Sequence, residues 1–219
     1  MERTPEPELM DEAAQALAYA EADFDEPNAA FIARVIELAP AGALRVADLG
    51  CGPGDITLAL AEARPAWELV GVDGAEAMLR FARPRARSNV RFVCGRLPDA
   101  PALKGPAEAH GCDLVVSNSL LHHLPDPAVL WETVKRIGRP GAPVRVADLF
   151  RPADAAAVDA LVEGYAADAP PVLQRDFRAS LHAAFEPGEV RAQLETAGLD
   201  FAVDVVSDRH LVVSGRLPA

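Results

Sequence analysis

The 219-residue sequence has little of several features on which common functions depend. Its three cysteines, Cys51, Cys94 and Cys112, are an odd number at wide spacing, which fits neither a disulfide framework nor a zinc site. We interpret them as reduced and at least half-buried. No apolar run approaches the roughly 20 residues that a membrane helix needs. The start, MERTPEPELMDEAA, is acidic, unlike a secretory signal, so we expect a cytoplasmic protein without a membrane partner.

Basic residues are also scarce. The sequence has 21 Lys and Arg residues against 33 Asp and Glu residues, which gives a formal charge of −12. Affinity for nucleic acid comes largely from cations that neutralise phosphates, so we expect no nucleic-acid partner. Six arginines do cluster within residues 80–96, and we interpret them as a solvated face at a helix end. A small molecule is therefore the favoured substrate.

The chain is long enough for one substantial α/β domain. We expect a single Rossmann-like domain over residues 1–219, in which short β-rich runs alternate with helices and build a doubly wound, mainly parallel sheet. The last two strands are joined by too short a link for a parallel crossover, so they predict an antiparallel hairpin. The expected parts are a helical N-terminal cap (1–40), a core (41–150), a helical insert near the substrate site (151–186), and a final helix with the hairpin (187–219).

A glycine-rich turn follows the first core strand, in the segment VADLGCGPGD. Gly50, Gly52 and Gly54 let the backbone approach a ligand closely at the carboxyl end of a strand, where such sheets bind ligands. The dinucleotide fingerprint places its third glycine one residue later. The spacing therefore favours a nucleoside over a pyrophosphate ligand, although a tight turn can need glycine for steric reasons alone.

The second strand, in WELVGVD, ends at Asp73, about 20 residues beyond the glycine turn. An acid at this place in similar folds binds the hydroxyls of a ribose. Asp73 could equally cap the helix that begins in GAEAML, and the two roles are compatible because a carboxylate has two oxygens. The turn and the acid together predict one nucleoside site.

These two segments resemble the first two motifs of the class I S-adenosylmethionine-dependent methyltransferases of the small-molecule type. The resemblance continues through VRFVCGRLPD, CDLVVSNSLLHHLPDP and PGAPVRVADLF, and so covers about residues 40–150. It implies a seven-stranded sheet, S-adenosylmethionine as cofactor, and methyl transfer by in-line displacement to a small-molecule acceptor.

The resemblance also implies site residues. Asp48 would lie near the amino group of the cofactor, Asp73 would bind the ribose diol, and Asn118 would border the methionine part. Arg96 stands where the family often has an acid that accepts from adenine, and a guanidinium only donates. Adenine would instead meet backbone groups near Arg96 and Leu97. The other implied cofactor contacts are Gly50, Cys51, Gly52, Gly54, Gly74 and Met78.

The loop after the fourth core strand carries His122 and His123. Histidine has a pKa suited to accepting a proton near neutrality, so these two are the candidate catalytic bases if the acceptor carries a proton. Adjacent histidines on a loop can also be structural, with one packed and one bonded to backbone. Where the acceptor is already deprotonated, alignment of donor and acceptor alone suffices.

Three further residues are weaker candidates. Tyr19 would cover the cofactor and Phe24 the substrate as a lid, unless both only pack the N-terminal cap. Arg151 could hold an anionic substrate group, unless it is salt-bridged. No cluster of His, Cys, Asp and Glu in the sequence has metal-ligand spacing, so no metal is predicted.

Two other functions stay open at this stage. A non-catalytic S-adenosylmethionine-binding subunit or regulator would keep the cofactor motifs without the chemistry, because fold alone does not establish function. A nicotinamide-dependent oxidoreductase would use a similar sheet, but the glycine spacing and the terminal hairpin count against it. A monomer and a homodimer are both compatible with the sequence.

Overall fold

A seven-stranded sheet forms the centre of the molecule in the computed structural model, which describes residues 1–6, 9–99 and 111–218. Its strand order is β3-β2-β1-β4-β5-β7-β6, and all neighbours are parallel except β5–β7 and β7–β6. The predicted mainly parallel sheet with an antiparallel C-terminal hairpin is confirmed. The strands are β1 (Arg45–Leu49), β2 (Glu68–Asp73), β3 (Val90–Cys94), β4 (Leu114–Asn118), β5 (Pro143–Leu149), β6 (Ala202–Val205) and β7 (His210–Arg216).

Helices cover both faces of this sheet. They are α1 (Ala13–Glu21), α2 (Asp25–Leu38), α3 (Asp55–Ala63), α4 (Glu76–Ala82), α5 (Ala128–Ile137), α6 (Ala155–Ala166), α7 (Pro171–Ala183) and α8 (Pro187–Ala197). Apolar residues of α2, α3 and α4 pack on one face, and those of α5 and α8 on the other. Successive side chains of a strand point to opposite faces of the sheet. In β4, Leu114 and Val116 pack on the face covered by α2, α3 and α4, and Val115 packs on the face covered by α5 and α8.

The order of strands fixes where a ligand can enter. The chain runs outward from β1 through β2 to β3, and then returns to place β4 and β5 on the other side of β1. The connections after β1 and β4 therefore diverge, which leaves a crevice at the carboxyl ends of these two strands. Both the glycine turn and the histidine loop follow these strand ends directly.

The segment 151–186 adopts the helical form that the sequence predicts. Helix α6 ends at Ala166, and α7 begins after Pro170, at Pro171, whose fixed φ suits a first helical position. Their buried residues form a separate apolar cluster with Leu149 at the end of β5. The pair therefore stands beside the carboxyl end of the sheet. Among the described residues, no helix is both long and apolar enough to span a bilayer.

The first residues of the chain take a course that the sequence does not predict. Instead of only leading into the helical cap, they cross from α7 to the histidine loop. The Thr4 N–H donates to the carbonyl of His182 at 3.0 Å. The guanidinium of Arg3 donates to the carbonyls of Ala183, His122 and Leu124, at 2.5, 3.0 and 3.1 Å. This N-terminal segment, residues 1–6, thereby joins two parts of the chain more than 50 residues apart.

Candidate active site

A single cavity of about 1190 Å³ lies at the carboxyl ends of the central strands. It contains two regions that we name by their residues. The cofactor side comprises the glycine turn (50–54), Asp73 and the start of α4. The acceptor side comprises the histidine loop (119–124) and the end of β5, and Glu6 of the N-terminal segment contacts the two histidines without itself lining the cavity. Of the sequence-predicted residues, the following line the cavity: Tyr19, Phe24, Asp48, Gly50, Cys51, Gly52, Asp73, Gly74, Met78, Arg96, Leu97, Asn118, His122 and His123.

The glycine turn contains positions with two different requirements. Gly50, Gly52 and Gly54 have φ values of 74°, 52° and 91°, in the left-handed region that favours glycine. A Cβ at Gly54 would lie 2.7 Å from the Phe92 ring, whereas a Cβ at Gly52 would meet no atom within 4 Å. Glycine at position 54 thus lets the Phe92 ring pack closely against the turn, and Gly54 does not line the cavity. The space beside Gly52 is open to a ligand.

Asp73 holds the turn and the next helix together. Its Oδ2 accepts from the Gly52 N–H and its Oδ1 from the Ala75 N–H, each at 2.8 Å. Burial raises the pKa of Asp73, and the two backbone hydrogen bonds oppose this shift. The capping role allowed by the sequence is present, since Ala75 directly precedes α4. Each carboxylate oxygen has a further lone pair, so a ribose contact remains available.

Asp48 lies deeper, at 2% exposure near the end of β1. Its Oδ2 accepts from the Thr57 hydroxyl at 2.5 Å. Burial raises the pKa of Asp48 to about 6, and the Thr57 hydrogen bond only partly offsets that effect. A buried carboxylate of this kind is ready to pair with an ammonium group in the cavity.

The residues expected around adenine surround the start of α4. Met78 is buried and packs with Ala75 and Ala77, and Tyr19 of α1 packs against the same cluster. The Tyr19 and Phe24 rings have centroids 4.9 Å apart and both line the cavity. Burial raises the pKa of Tyr19 to about 12. These two aromatic residues therefore pack against each other and form part of the cavity wall, and their role as a cover over a ligand stays a prediction.

The histidine loop presents two rings with different surroundings. His122 is 3% exposed, its Nδ1 lies 2.5 Å from Asp148 Oδ1, and its backbone N–H donates to Asp148 Oδ2 at 3.2 Å. His123 is more exposed, and the two ring centroids are 4.2 Å apart. Burial disfavours a charged His122, but Asp148 and Glu6 outweigh it and raise the pKa. Asp148 thereby fixes the orientation of the His122 ring.

Glu6 of the N-terminal segment faces both histidines. Its Oε1 lies 3.4 Å from His122 Nε2 and 3.2 Å from His123 Nδ1. Ser180 of α7 donates its hydroxyl to the same carboxylate at 3.1 Å. Burial raises the pKa of Glu6, and the charge of His122 acts in the opposite direction. Four separate parts of the chain thus meet at the two histidines: the N-terminal segment, the histidine loop, β5 and α7.

Arg151 differs from its predicted role. It is 6% exposed, does not line the cavity, and donates to the carbonyls of Met1 and Ala184 and to the carboxylates of Glu186 and Glu189. These contacts occupy its donors within the protein, so Arg151 ties β5 to the start of α8. The salt-bridged alternative describes it correctly.

Sequence reasoning missed residues on both sides of the cavity. Glu6 gives no local signal, because it lies in an acidic stretch 116 positions from His122. Asp11 accepts from the Ala77 N–H at 3.0 Å and so caps α4 from outside. Arg145 of β5 lines the cavity, and its buried Nε has no hydrogen-bond partner among the described residues. The signal that could have revealed Arg145 is its place as a charged residue within the apolar strand APVRVADLF.

Comparisons with known proteins agree with this geometry. Residues 46–141 match the family model of a methyltransferase domain. The chain is similar to the trans-aconitate 2-methyltransferase of Streptomyces coelicolor, with 39% identity over 106 residues that cover 48% of this chain and 34% of that protein. It is also similar to the ubiquinone biosynthesis O-methyltransferase of Hahella chejuensis, with 36% identity over 48% of this chain and 41% of that protein. The matched region thus spans less than half the length of these relatives.

A solved structure extends the likeness to nearly the whole chain. The S-adenosylmethionine-dependent methyltransferase of Aquifex aeolicus superimposes with a TM-score of 0.66 over 94% of this chain and 98% of that chain, at 18% identity, which shows a shared fold. The chain therefore shares the fold of a solved S-adenosylmethionine-dependent methyltransferase, and residues 46–141 resemble a methyltransferase domain. The resemblance stated from the sequence is thus supported over these residues by the family model, and over nearly the whole chain by the shared fold.

Proposed function

We propose that this chain transfers a methyl group from S-adenosylmethionine to a small-molecule acceptor. The observation that carries the proposal is the junction of the cofactor side and the acceptor side in one cavity, with the glycine turn in one wall and His122 and His123 in another. Two relatives are named for small-molecule chemistry, one for trans-aconitate and one for ubiquinone biosynthesis. Their names support a small acceptor for this chain.

Each residue of the cofactor side has a role in this proposal. Asp73 binds the ribose diol with the lone pairs that its two backbone hydrogen bonds leave open. Gly52 admits the ligand because no side chain lies within 4 Å of its Cβ position. Asp48 pairs with the amino group of the methionine part, and its carboxylate charge is then compensated. Met78 and Leu97 flank the adenine with apolar surface.

Catalysis rests on alignment and on exclusion of water. When bound, the cofactor supplies a methyl group already activated on a sulfonium, so the protein mainly aligns the acceptor in line with it. Tyr19 and Phe24 wall the cavity and restrict water. His122, held by Asp148, and His123 meet the reacting end of the acceptor, where they hold it and take up or direct its proton.

The lining of the acceptor side favours an acceptor with an apolar body. Phe31, Leu173 and Phe177 line the same cavity as the histidines. Arg145 lies with its guanidinium 5.8 Å from the Phe31 ring centroid, and a buried donor without a partner gains most from a ligand that accepts from it. We assign to Arg145, in place of Arg151, the contact with an anionic or carbonyl group of the acceptor.

Calorimetry with S-adenosylmethionine and S-adenosylhomocysteine tests the cofactor site directly. Asp73→Ala should weaken the binding of either ligand by about 1.5 to 3 kcal/mol, which is the usual loss for charge-assisted hydrogen bonds. Asp126→Ala, at an acid whose side chain accepts from the Ala128 N–H on the surface, is the matched control and should leave affinity unchanged. Equal affinity of the Asp73 variant and the wild type would contradict the ribose assignment.

Turnover separates the enzyme from a non-catalytic binder. We expect S-adenosylhomocysteine to accumulate when the wild-type chain is incubated with S-adenosylmethionine and a panel of small acids and phenols. Tight cofactor binding without turnover on a broad panel would favour a regulatory or scaffolding subunit instead. A cytoplasmic location stays a prediction that the three free cysteines support.

A further inference from the structure

We propose that Glu6, His122 and His123 form a binding site for a divalent first-row transition-metal ion. This inference deepens the proposed function, on which it rests, because the two histidines line the cavity in which the acceptor would react. In the parts of the chain that the structure describes, this is the one group of three or more His, Cys, Asp or Glu side chains whose donor atoms all lie within 4.8 Å of one another.

Two of the three donor-to-donor distances within the cluster match those of a coordination shell, and the third is at most 4.8 Å. Tetrahedral Zn²⁺ binds imidazole nitrogen and carboxylate oxygen at about 2.0 to 2.1 Å, so the ligand atoms of one ion lie about 3.3 Å apart. Glu6 Oε1 is 3.4 Å from His122 Nε2 and 3.2 Å from His123 Nδ1. An ion can therefore enter between these three atoms with small side-chain adjustments.

The surroundings of His122 match a further feature of metal sites. A ligating histidine usually donates its second ring N–H to a carboxylate, which fixes the tautomer and the ring direction. In His122 that role falls to Asp148, whose Oδ1 lies 2.5 Å from Nδ1. In the neutral ring, Nε2 is then the nitrogen with a free electron pair, and it is the atom that faces Glu6.

The charges of the cluster also favour a cation. Glu6 and Asp148 place two buried carboxylates on opposite sides of the His122 ring, and Asp176 adds a third acidic group whose charge acts on Glu6. The guanidinium of Arg3 is close, but its hydrogen bonds go to backbone carbonyls. Buried carboxylates need compensation by a paired cation or a metal ion. A protonated His122 supplies one charge, and a divalent ion supplies two.

The ligand set indicates which ions to expect. Two imidazoles and one carboxylate suit Zn²⁺, Fe²⁺, Co²⁺ or Ni²⁺, whereas Mg²⁺ and Ca²⁺ prefer sites made of oxygen ligands. With three protein ligands, a tetrahedral ion keeps one position for water or for a group of the acceptor. Such an ion would bind the acceptor's polar group and lower its pKa, which is the contact otherwise given to the imidazoles.

The test uses the untagged full chain, freed of metal with a chelator and titrated with Zn²⁺ and with Co²⁺ by calorimetry and visible absorption. We expect about one equivalent to bind at micromolar or tighter affinity. Glu6→Gln and His123→Gln should each weaken binding at least about tenfold, and Asp148→Asn by about 10- to 100-fold, as for other carboxylates that support a ligating histidine. The matched controls Glu12→Gln and His182→Gln, outside the cluster, should bind as the wild type does.

Two results would overturn the proposal. One is the absence of saturable binding by wild-type chain that is folded by circular dichroism. The other is wild-type affinity in both cluster variants, which would place the ion elsewhere. Titration of every sample with S-adenosylhomocysteine keeps the two hypotheses apart: cofactor binding without metal binding removes only the metal site, and loss of cofactor binding by the wild type removes the proposed function.

Discussion

The cofactor side and the acceptor side of the cavity are built in different ways. The cofactor side comes from a short stretch of chain, since Asp48, Gly52 and Asp73 lie within 26 positions, and backbone hydrogen bonds hold it. The acceptor side joins Glu6, His122 and Asp148 from three distant parts of the sequence through side chains. Local backbone geometry therefore fixes the proposed cofactor side, whereas the proposed acceptor side depends on tertiary packing.

The largest effect should come from the packing glycine of the turn. Gly54→Ala should lower the free energy of unfolding by about 2 to 5 kcal/mol, because left-handed φ costs alanine about 1 to 2 kcal/mol and the contact with Phe92 adds about 1 to 3. Gly52→Ala is the matched control and should cost only the first part, since its Cβ meets nothing. Denaturant unfolding of both variants measures the difference, and equal losses would refute the distinction.

A second prediction concerns Asp48 and pH. Its folded-state pKa of about 6 exceeds the ordinary value of 3.8, so the folded state holds the proton more tightly and loses stability as pH rises from about 4 to 6. Above pH 6 the loss is constant, at up to about 3 kcal/mol. Asp48→Asn should remove this slope and unfold at higher denaturant concentration at pH 7, while binding S-adenosylhomocysteine more weakly. Parallel pH profiles of the two proteins would count against the assignment.

The smallest effect tests the acceptor side. Arg3→Met keeps an apolar stem over the Phe185 ring but removes three hydrogen bonds to carbonyls of α7 and the histidine loop. We expect a loss of about 1 to 2 kcal/mol in unfolding free energy. Affinity for S-adenosylhomocysteine should stay within about twofold, and a larger change would mean that the two sides are energetically coupled. Arg34→Met, at an exposed ion pair, is the control.

The contrast between a side built from one short stretch of chain and a side built from distant parts also explains what the sequence could predict. The strands, the terminal hairpin and the helix that ends at Gly198 follow from apolar periodicity and from glycine in the left-handed conformation, and the structure has them. The residues of the proposed cofactor side could be predicted because their spacing along the chain is short. Of the predicted set, the structure leaves only Gly54 and Arg151 outside the cavity wall.

Arg151 and Glu6 show why the rest was out of reach. A lone arginine after a strand has the same appearance whether it meets a ligand or, as here, the carboxylates of Glu186 and Glu189. Glu6 carries no motif, and its place beside His122 results from the course of the N-terminal segment over α7. Such contacts are set by the packing of whole elements, which no local pattern in the sequence encodes.

The position of β7 between β5 and β6 has a consequence for self-association. It makes β6, a strand of four residues, the outer edge of the sheet on that side. A short edge whose outward side chain at Asp204 carries charge is a poor template for a strand from another molecule. The hairpin thus limits the open edge on this side of the sheet to four residues, among which the charged Asp204 stands beside the exposed Val205.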